Sequence, residues 1–125
     1  MKKYFALLLL LVSAVAGAQN QGDKYPVYPG CENQDTAGTE ACFYTKVQQF
    51  VFDNFKVPDS QKDFQGSVFV LFEVTDKGNF SVLYADANPE LVAESKRVFA
   101  QLPQVTPPSY NGQPTYAKYT LKINI

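Results

Sequence analysis

Apolar residues recur at a helical period in the first half of this chain. From Thr39-Glu40 onward, apolar side chains fall at positions i, i+4, i+7 and i+8, which are Phe43, Val47, Phe50 and Val51. This spacing places them on one face of a helix. Tyr44, Phe52 and Phe55 broaden the stripe, so we expect this helix to sink deep into its neighbours. We expect it to end before Pro58, because the residue preceding a proline is pushed out of the helical region.

Three later stretches alternate in the manner of β-strands. After Gly66, one strand face is predicted to hold Val68, Val70, Phe72 and Val74 and the other Phe69, Leu71 and Glu73, so both faces are largely apolar. The turn at 76–79 contains Gly78, which tolerates positive φ. Residues 80–85 return as a second strand, so the two predict a hairpin. The last run, 115–125, alternates cleanly. Its apolar positions are Ala117, Tyr119, Leu121, Ile123 and Ile125, and its polar-facing positions are Tyr116, Lys118, Thr120, Lys122 and Asn124.

A second helix is predicted between the hairpin and the last strand. Asn88-Pro89-Glu90 combines an N-cap residue, a proline at the first helical position and an acid in the first turn. The buried face is predicted to hold Leu91, Val98, Phe99 and Leu102, and Pro103 follows. Residues 107–112 are interpreted as a loop.

The order of elements is therefore αββαβ, which predicts an α+β fold. Its simplest form is a three-stranded antiparallel sheet with both helices packed on one face. The right-handed crossover rule puts the last strand beside the first, giving the strand order 2-1-3 and leaving the last strand at an edge. Lys118 and Lys122 on that strand are typical of edges that resist aggregation. An edge is equally a surface for an extended peptide, and the sequence leaves both interpretations open.

The first 18 residues are interpreted as a cleaved signal peptide. Lys2 and Lys3 precede an apolar run that ends in the small residues 16–18, the pattern of a secretory leader. The alternative is a membrane anchor, although the run is shorter than the roughly 20 residues needed to span a bilayer. We therefore expect a periplasmic protein, with 19–38 as an extended N-terminal segment and 39–125 as the folded domain.

Both cysteines lie after the leader. An even number of cysteines in an exported domain usually forms disulfides, so Cys31 and Cys42 are predicted to form a structural bridge. A reactive thiol is the alternative. It would lack both a CxxC spacing and a histidine that could lower its pKa.

Composition excludes several kinds of chemistry. The chain has no histidine, so it has no Ser-His-Asp triad, and we expect no metal site and no cofactor. Without the leader's two lysines, nine basic residues face twelve acidic ones, which leaves no basic field for nucleic acid. The acids fall mostly at caps and turns. Glu73 lies within an apolar strand and is expected to pair with a lysine across the sheet. We predict neither an enzyme nor a small-molecule substrate.

The segments taken together resemble the C-terminal domain of the TonB energy-transducer family. The resemblance covers about residues 25–125 and is carried by the order and spacing of several short motifs. These are Tyr28-Pro29-Gly30-Cys31-Glu32, Cys42-Phe43, the strand 65–74, Asp76-Lys77-Gly78, Leu102-Pro103 with Pro107, Asn111-Gly112-Gln113-Pro114 and Tyr119-Thr120-Leu121-Lys122-Ile123.

The resemblance implies a protein that binds a short extended segment of an outer-membrane TonB-dependent receptor, or of another envelope protein, by strand addition. The residues implied are Tyr116, Lys118, Thr120 and Lys122 on the last strand, with the lysines meeting acidic side chains. Gln61, before the first strand, is implied by its place in the family.

Two departures from the family shape the functional hypothesis. First, a transducer keeps its membrane helix and has a long Pro-rich span, whereas this chain has a cleavable leader and about ten residues before the fold. Second, the family often places basic residues in the loop after the second helix, whereas Thr106, Pro107, Pro108 and Ser109 are uncharged here. We therefore expect a free-standing binding module, accessory to TonB-dependent transport. The alternatives are a membrane-anchored energy transducer with a retained leader and a structural envelope protein that forms a homodimer edge to edge.

Overall fold

The computed structural model describes residues 24–125. The predicted signal peptide, its cleavage site and residues 19–23 lie outside this part. The helices and strands, in chain order, are α1 Thr36–Asn54, a 3-10 turn Asp59–Gln61, β1 Ser67–Val74, β2 Phe80–Asp86, α2 Pro89–Ala100, β3 Ser109–Tyr110, β4 Gln113–Pro114 and β5 Ala117–Asn124.

The main sheet has the predicted topology. Its three strands lie in the order β2-β1-β5, and β1 is antiparallel to both neighbours. β5 is therefore an edge strand, as the crossover rule predicted. β3 and β4 form a separate two-stranded hairpin where the sequence pattern predicted a loop. Its turn residues Asn111 and Gly112 both have positive φ.

Both helices cover the same face of the sheet, which confirms the predicted α+β layering. Phe43 of α1 stacks on Phe80 at a centroid distance of 6.0 Å, and Phe99 of α2 packs on Phe72 at 5.0 Å. Phe43 also lies 5.2 Å from Tyr119. Rings from both helices and all three strands thus form one core, in which Phe43 and Phe72 are fully buried.

Helix α1 begins three residues before the predicted start at Thr39. Its N-cap is Asp35, whose carboxylate accepts a hydrogen bond from the Gly38 N–H at 2.7 Å. The Asp35 carbonyl also accepts from the N–H and the hydroxyl of Thr39, both at 2.8 Å. A side chain that satisfies free N–H groups in the first turn is what begins a helix, and here it outweighs the glycine that follows.

The N-terminal segment is held to the domain by two backbone bridges and by the disulfide. Its backbone forms isolated bridges between Lys24 and Ser109 and between Val27 and Thr106. The predicted disulfide between Cys31 and Cys42 is confirmed, with the Cα atoms 5.9 Å apart. Because Cys42 lies in α1, the bridge fixes this segment covalently to the first helix. No helix within residues 24–125 has the length and apolar character needed to cross a membrane.

Candidate strand-addition site

The free edge of β5 carries unpaired backbone groups at known positions. Beyond the end of the strand, Gly66 and Ile125 exchange two backbone hydrogen bonds, and the β1–β5 register is uninterrupted. In an antiparallel pair, consecutive residues alternate between bonding the neighbour and facing away from it. The odd-numbered residues of β5 therefore bond β1. The N–H and C=O groups of the even-numbered residues point to the free side: Lys118, Thr120, Lys122 and Asn124.

The side chains of these residues lie on the sheet face opposite to the helices. They are exposed, whereas Leu121 and Ile123 between them are buried. Lys122 lies 5.7 Å from the ring centroid of Phe69, a cation–π distance. Lys118 is directly opposite Glu73 in the register, but the expected ion pair does not form. Within residues 24–125 the only salt bridge is Glu94–Arg97, so both lysines are available to acidic partners.

Helix α1 and the second half of β5 together line an open hollow of about 400 Å³ beside this edge. The α1 side chains that line this hollow form a stripe at the helical spacing i, i+3, i+4 and i+7. They are Thr45, Gln48, Gln49 and Phe52. Phe52 is 80% exposed. The expectation that Phe52 broadens the buried face was therefore wrong, because its position on the helix lies beyond the last strand of the sheet.

A second hollow, of about 490 Å³, lies beside the first half of β5 and is rich in tyrosine. Its aromatic side chains are Tyr25, Tyr110, Tyr116 and Tyr119. Tyr119 also makes an edge-to-face contact with Tyr44 of α1 at 5.6 Å. Burial raises the pKa of Tyr119, with smaller contributions from Tyr44, Tyr25 and Glu40.

Gln61 has a structural partner elsewhere. Its side-chain oxygen accepts a hydrogen bond at 2.6 Å from Asn88, and Asn88 is the N-cap of α2. Helix α2 packs against β2, the strand at the opposite edge from β5. The structure thus does not join Gln61 to the four residues of the free edge. Its role in peptide binding stays a prediction from the family resemblance.

The chemistry offered by this edge is recognition of an extended backbone. Four N–H and four C=O groups are available in a row, with basic side chains on one face and, on the other, a hollow lined by both apolar and uncharged polar side chains. Within the described residues, no group of three or more His, Cys, Asp or Glu side chains is placed to hold a metal ion.

The chain matches no protein-family model, no curated protein and no solved structure.

Proposed function

We propose that this protein is a non-enzymatic periplasmic binding module, similar to the TonB C-terminal domain, that docks extended segments of outer-membrane receptors by strand addition to β5. Its role would be accessory to TonB-dependent transport. The observation that carries the proposal is the hollow between α1 and the free edge of β5, which Phe52 lines while remaining 80% exposed.

Strand addition explains this hollow better than protection of the edge does. A protected edge needs only the lysines, whereas a fourth strand needs contacts on both of its faces. Its inward side chains would enter the hollow beneath Phe52 and replace solvent contact with apolar contact. Its outward side chains would lie beside Lys118 and Lys122, where acidic residues form favourable cross-strand pairs of about 0.2–1 kcal/mol each. The ligand is thus a segment that alternates acidic with apolar residues.

The disulfide supports the proposed compartment. Disulfides form and persist outside the cytoplasm, in places that include the bacterial periplasm, and the Cys31–Cys42 bridge holds the N-terminal segment against the domain. A periplasmic location would give the module access to receptor segments and other envelope proteins.

The test is an amide NMR titration of the disulfide-bonded chain with acidic–apolar peptides taken from receptor N-termini. Because only alternate residues of β5 have free N–H groups, the expected exchange pattern is specific. Peptide binding should slow amide exchange at the even-numbered residues 118–124, whose N–H groups are free, and change little at Tyr119, Leu121 and Ile123, which already bond β1. Uniform protection, or none with any peptide, would overturn the proposal.

A matched pair of variants separates strand addition from other modes of contact. Thr120→Pro removes an outward N–H and places a ring in the path of the added strand, yet it leaves the β1 ladder intact. Thr120→Val keeps the N–H. We expect the proline variant to abolish peptide binding and the valine variant to retain it. A Thr120→Pro variant that stays folded and binds peptide normally would exclude the β5 edge, and a stable dimer that dissociates in this variant would indicate edge-to-edge assembly instead.

A further inference from the structure

The face of the sheet opposite to the helices carries an exposed apolar patch. Phe69 is 51% exposed, Leu83 45% and Tyr84 61%, and Leu71 between them is partly exposed. Within residues 24–125, both helices lie on the other face. Apolar residues grouped in this way on an open sheet are unlike the polar outer face that an antiparallel sheet ordinarily presents to water.

A β-bulge in β2 enlarges the patch. Leu71 pairs with Tyr84 and the next residue, Phe72, pairs with Val82, so Leu83 has no partner in the register. The extra residue lets Leu83 and Tyr84 both project outward, where regular alternation would turn one of them toward the core. The bulge thus adds one large apolar side chain to the outer face.

Charge is distributed across this face from one edge to the other. The row at Phe69 reads Lys122, Phe69, Asp86 across the three strands, and Lys118 lies on the same side as Lys122. The β5 side is therefore basic and the β2 side carries an acid. None of these charges is in a salt bridge within the described residues.

We propose that this face binds a second copy of the chain, face to face, about a two-fold axis parallel to the strands. Such an axis leaves each residue at the same position along the strand direction and places the β5 edge of one copy over the β2 edge of the other. It places Phe69 of one copy against Phe69 of the other, and the Lys122 of each copy against the Asp86 of its partner. Aligned packing of two sheets about 10 Å apart is a common arrangement. A two-fold axis across the strands would instead bring the lysines together.

The size of the face predicts a weak dimer. Three strands of about eight residues cover roughly 14 by 26 Å, or about 370 Å² in each copy. The two copies together bury less than the roughly 1,200 Å² of a stable interface, so we expect a weak, transient dimer. The Glu73 side chains approach each other at one end of the face, each beside its own Lys118, which also limits the affinity. The unpaired backbone groups of the β5 edge stay open in this dimer, and only Lys122 is shared between the partner copy's Asp86 and the acidic residues of an added strand.

Reciprocal charge changes test the arrangement by sedimentation over a concentration series of the purified disulfide-bonded chain. Asp86→Lys and Lys122→Glu should each weaken the dimer at least about tenfold, because each makes two like-charge contacts per dimer. All the changed side chains are exposed, and a thermal melt of each variant checks that the fold is retained.

The decisive sample is an equimolar mixture of the two single variants. In a mixed dimer of this geometry, the unchanged Lys122 of one copy meets the unchanged Asp86 of the other. The two introduced charges, which are opposite in sign, meet each other on the other side, so the mixture should associate more tightly than either variant alone. A chain that stays monomeric up to a concentration of about 1 mM would overturn the proposal. So would a dimer that either charge change leaves unaffected, or a mixture that associates no better than its components.

Discussion

The turn between β1 and β2 has one position where a single methyl group should be very costly. Gly78 has φ +80° and is buried. Its N–H donates to the Thr75 carbonyl at 2.9 Å, and its own carbonyl accepts from the Val105 N–H at 3.0 Å. A Cβ atom here would lie 1.8 Å from the Val105 carbonyl oxygen. We therefore expect Gly78→Ala to displace the turn from the segment that follows α2.

The magnitude follows from two contributions. An L-residue in the left-handed region costs about 1–2 kcal/mol. Separating the turn from Val105 removes the Val105–Gly78 hydrogen bond and leaves a buried carbonyl unsatisfied, at about 1–3 kcal/mol. The sum is about 2–5 kcal/mol. That is a large part of the 5–15 kcal/mol that stabilises an ordinary domain.

Urea unfolding monitored by circular dichroism measures this loss, and Gly112→Ala is its matched control. Gly112 has nearly the same φ, +78°, but a Cβ atom there would meet nothing within 4 Å. The control should lose only the conformational cost, about 1–2 kcal/mol. If Gly78→Ala lowers the free energy of unfolding no more than Gly112→Ala does, contact with Val105 does not constrain the turn.

Three further predictions concern the edge, the disulfide and one carboxylate. Phe52→Ser should leave the urea midpoint within error, because the ring is 80% exposed, and weaken peptide binding about tenfold by removing 1–2 kcal/mol of apolar contact; unchanged affinity would remove α1 from the site. Replacing Cys31 and Cys42 with serine should lower the free energy of unfolding by about 2–3 kcal/mol, and an unchanged calorimetric Tm would contradict this. A hydrogen bond from Arg97 lowers the pKa of Glu94. The stabilisation from the ionised Glu94 carboxylate is therefore fully present above the ordinary carboxyl pKa of about 4.3. It is lost as the pH falls through the lowered pKa of Glu94 in the folded protein. The stability difference between wild type and Glu94→Gln should shrink from pH 7 to pH 3, and a constant difference would disprove the assignment.

The topology could be predicted from the sequence because its signals are local and agree. The cap at Asn88-Pro89 fixes the start of α2, and clean alternation in 117–124 fixes the orientation of every β5 side chain. The burial of Phe52 could not be predicted in this way. Helical spacing states which residues share a face, but the width of the sheet beneath that face depends on tertiary packing.

The same limit applies to the outer surface of β2. The bulge at Leu83 interrupts the two-residue period, so alternation alone would assign Leu83 and Tyr84 to opposite faces. Backbone polarity at the β5 edge is likewise set by pairing with β1. The sequence indicates that Lys118 and Lys122 face outward, but only the register shows that their N–H and C=O groups are also the unpaired ones.

The geometry of the β5 edge has a mechanical consequence. A ligand strand paired along it and pulled lengthwise would load its row of backbone hydrogen bonds together, in shear, and resist far more tension than one peeled away sideways. On the other side of the domain, tension entering at Lys24 would first meet two isolated bridges and then the Cys31–Cys42 bond, which passes it covalently into α1. From α1 the load would reach β5 and its ligand through the core, because Phe43 of α1 packs 5.2 Å from Tyr119 of β5.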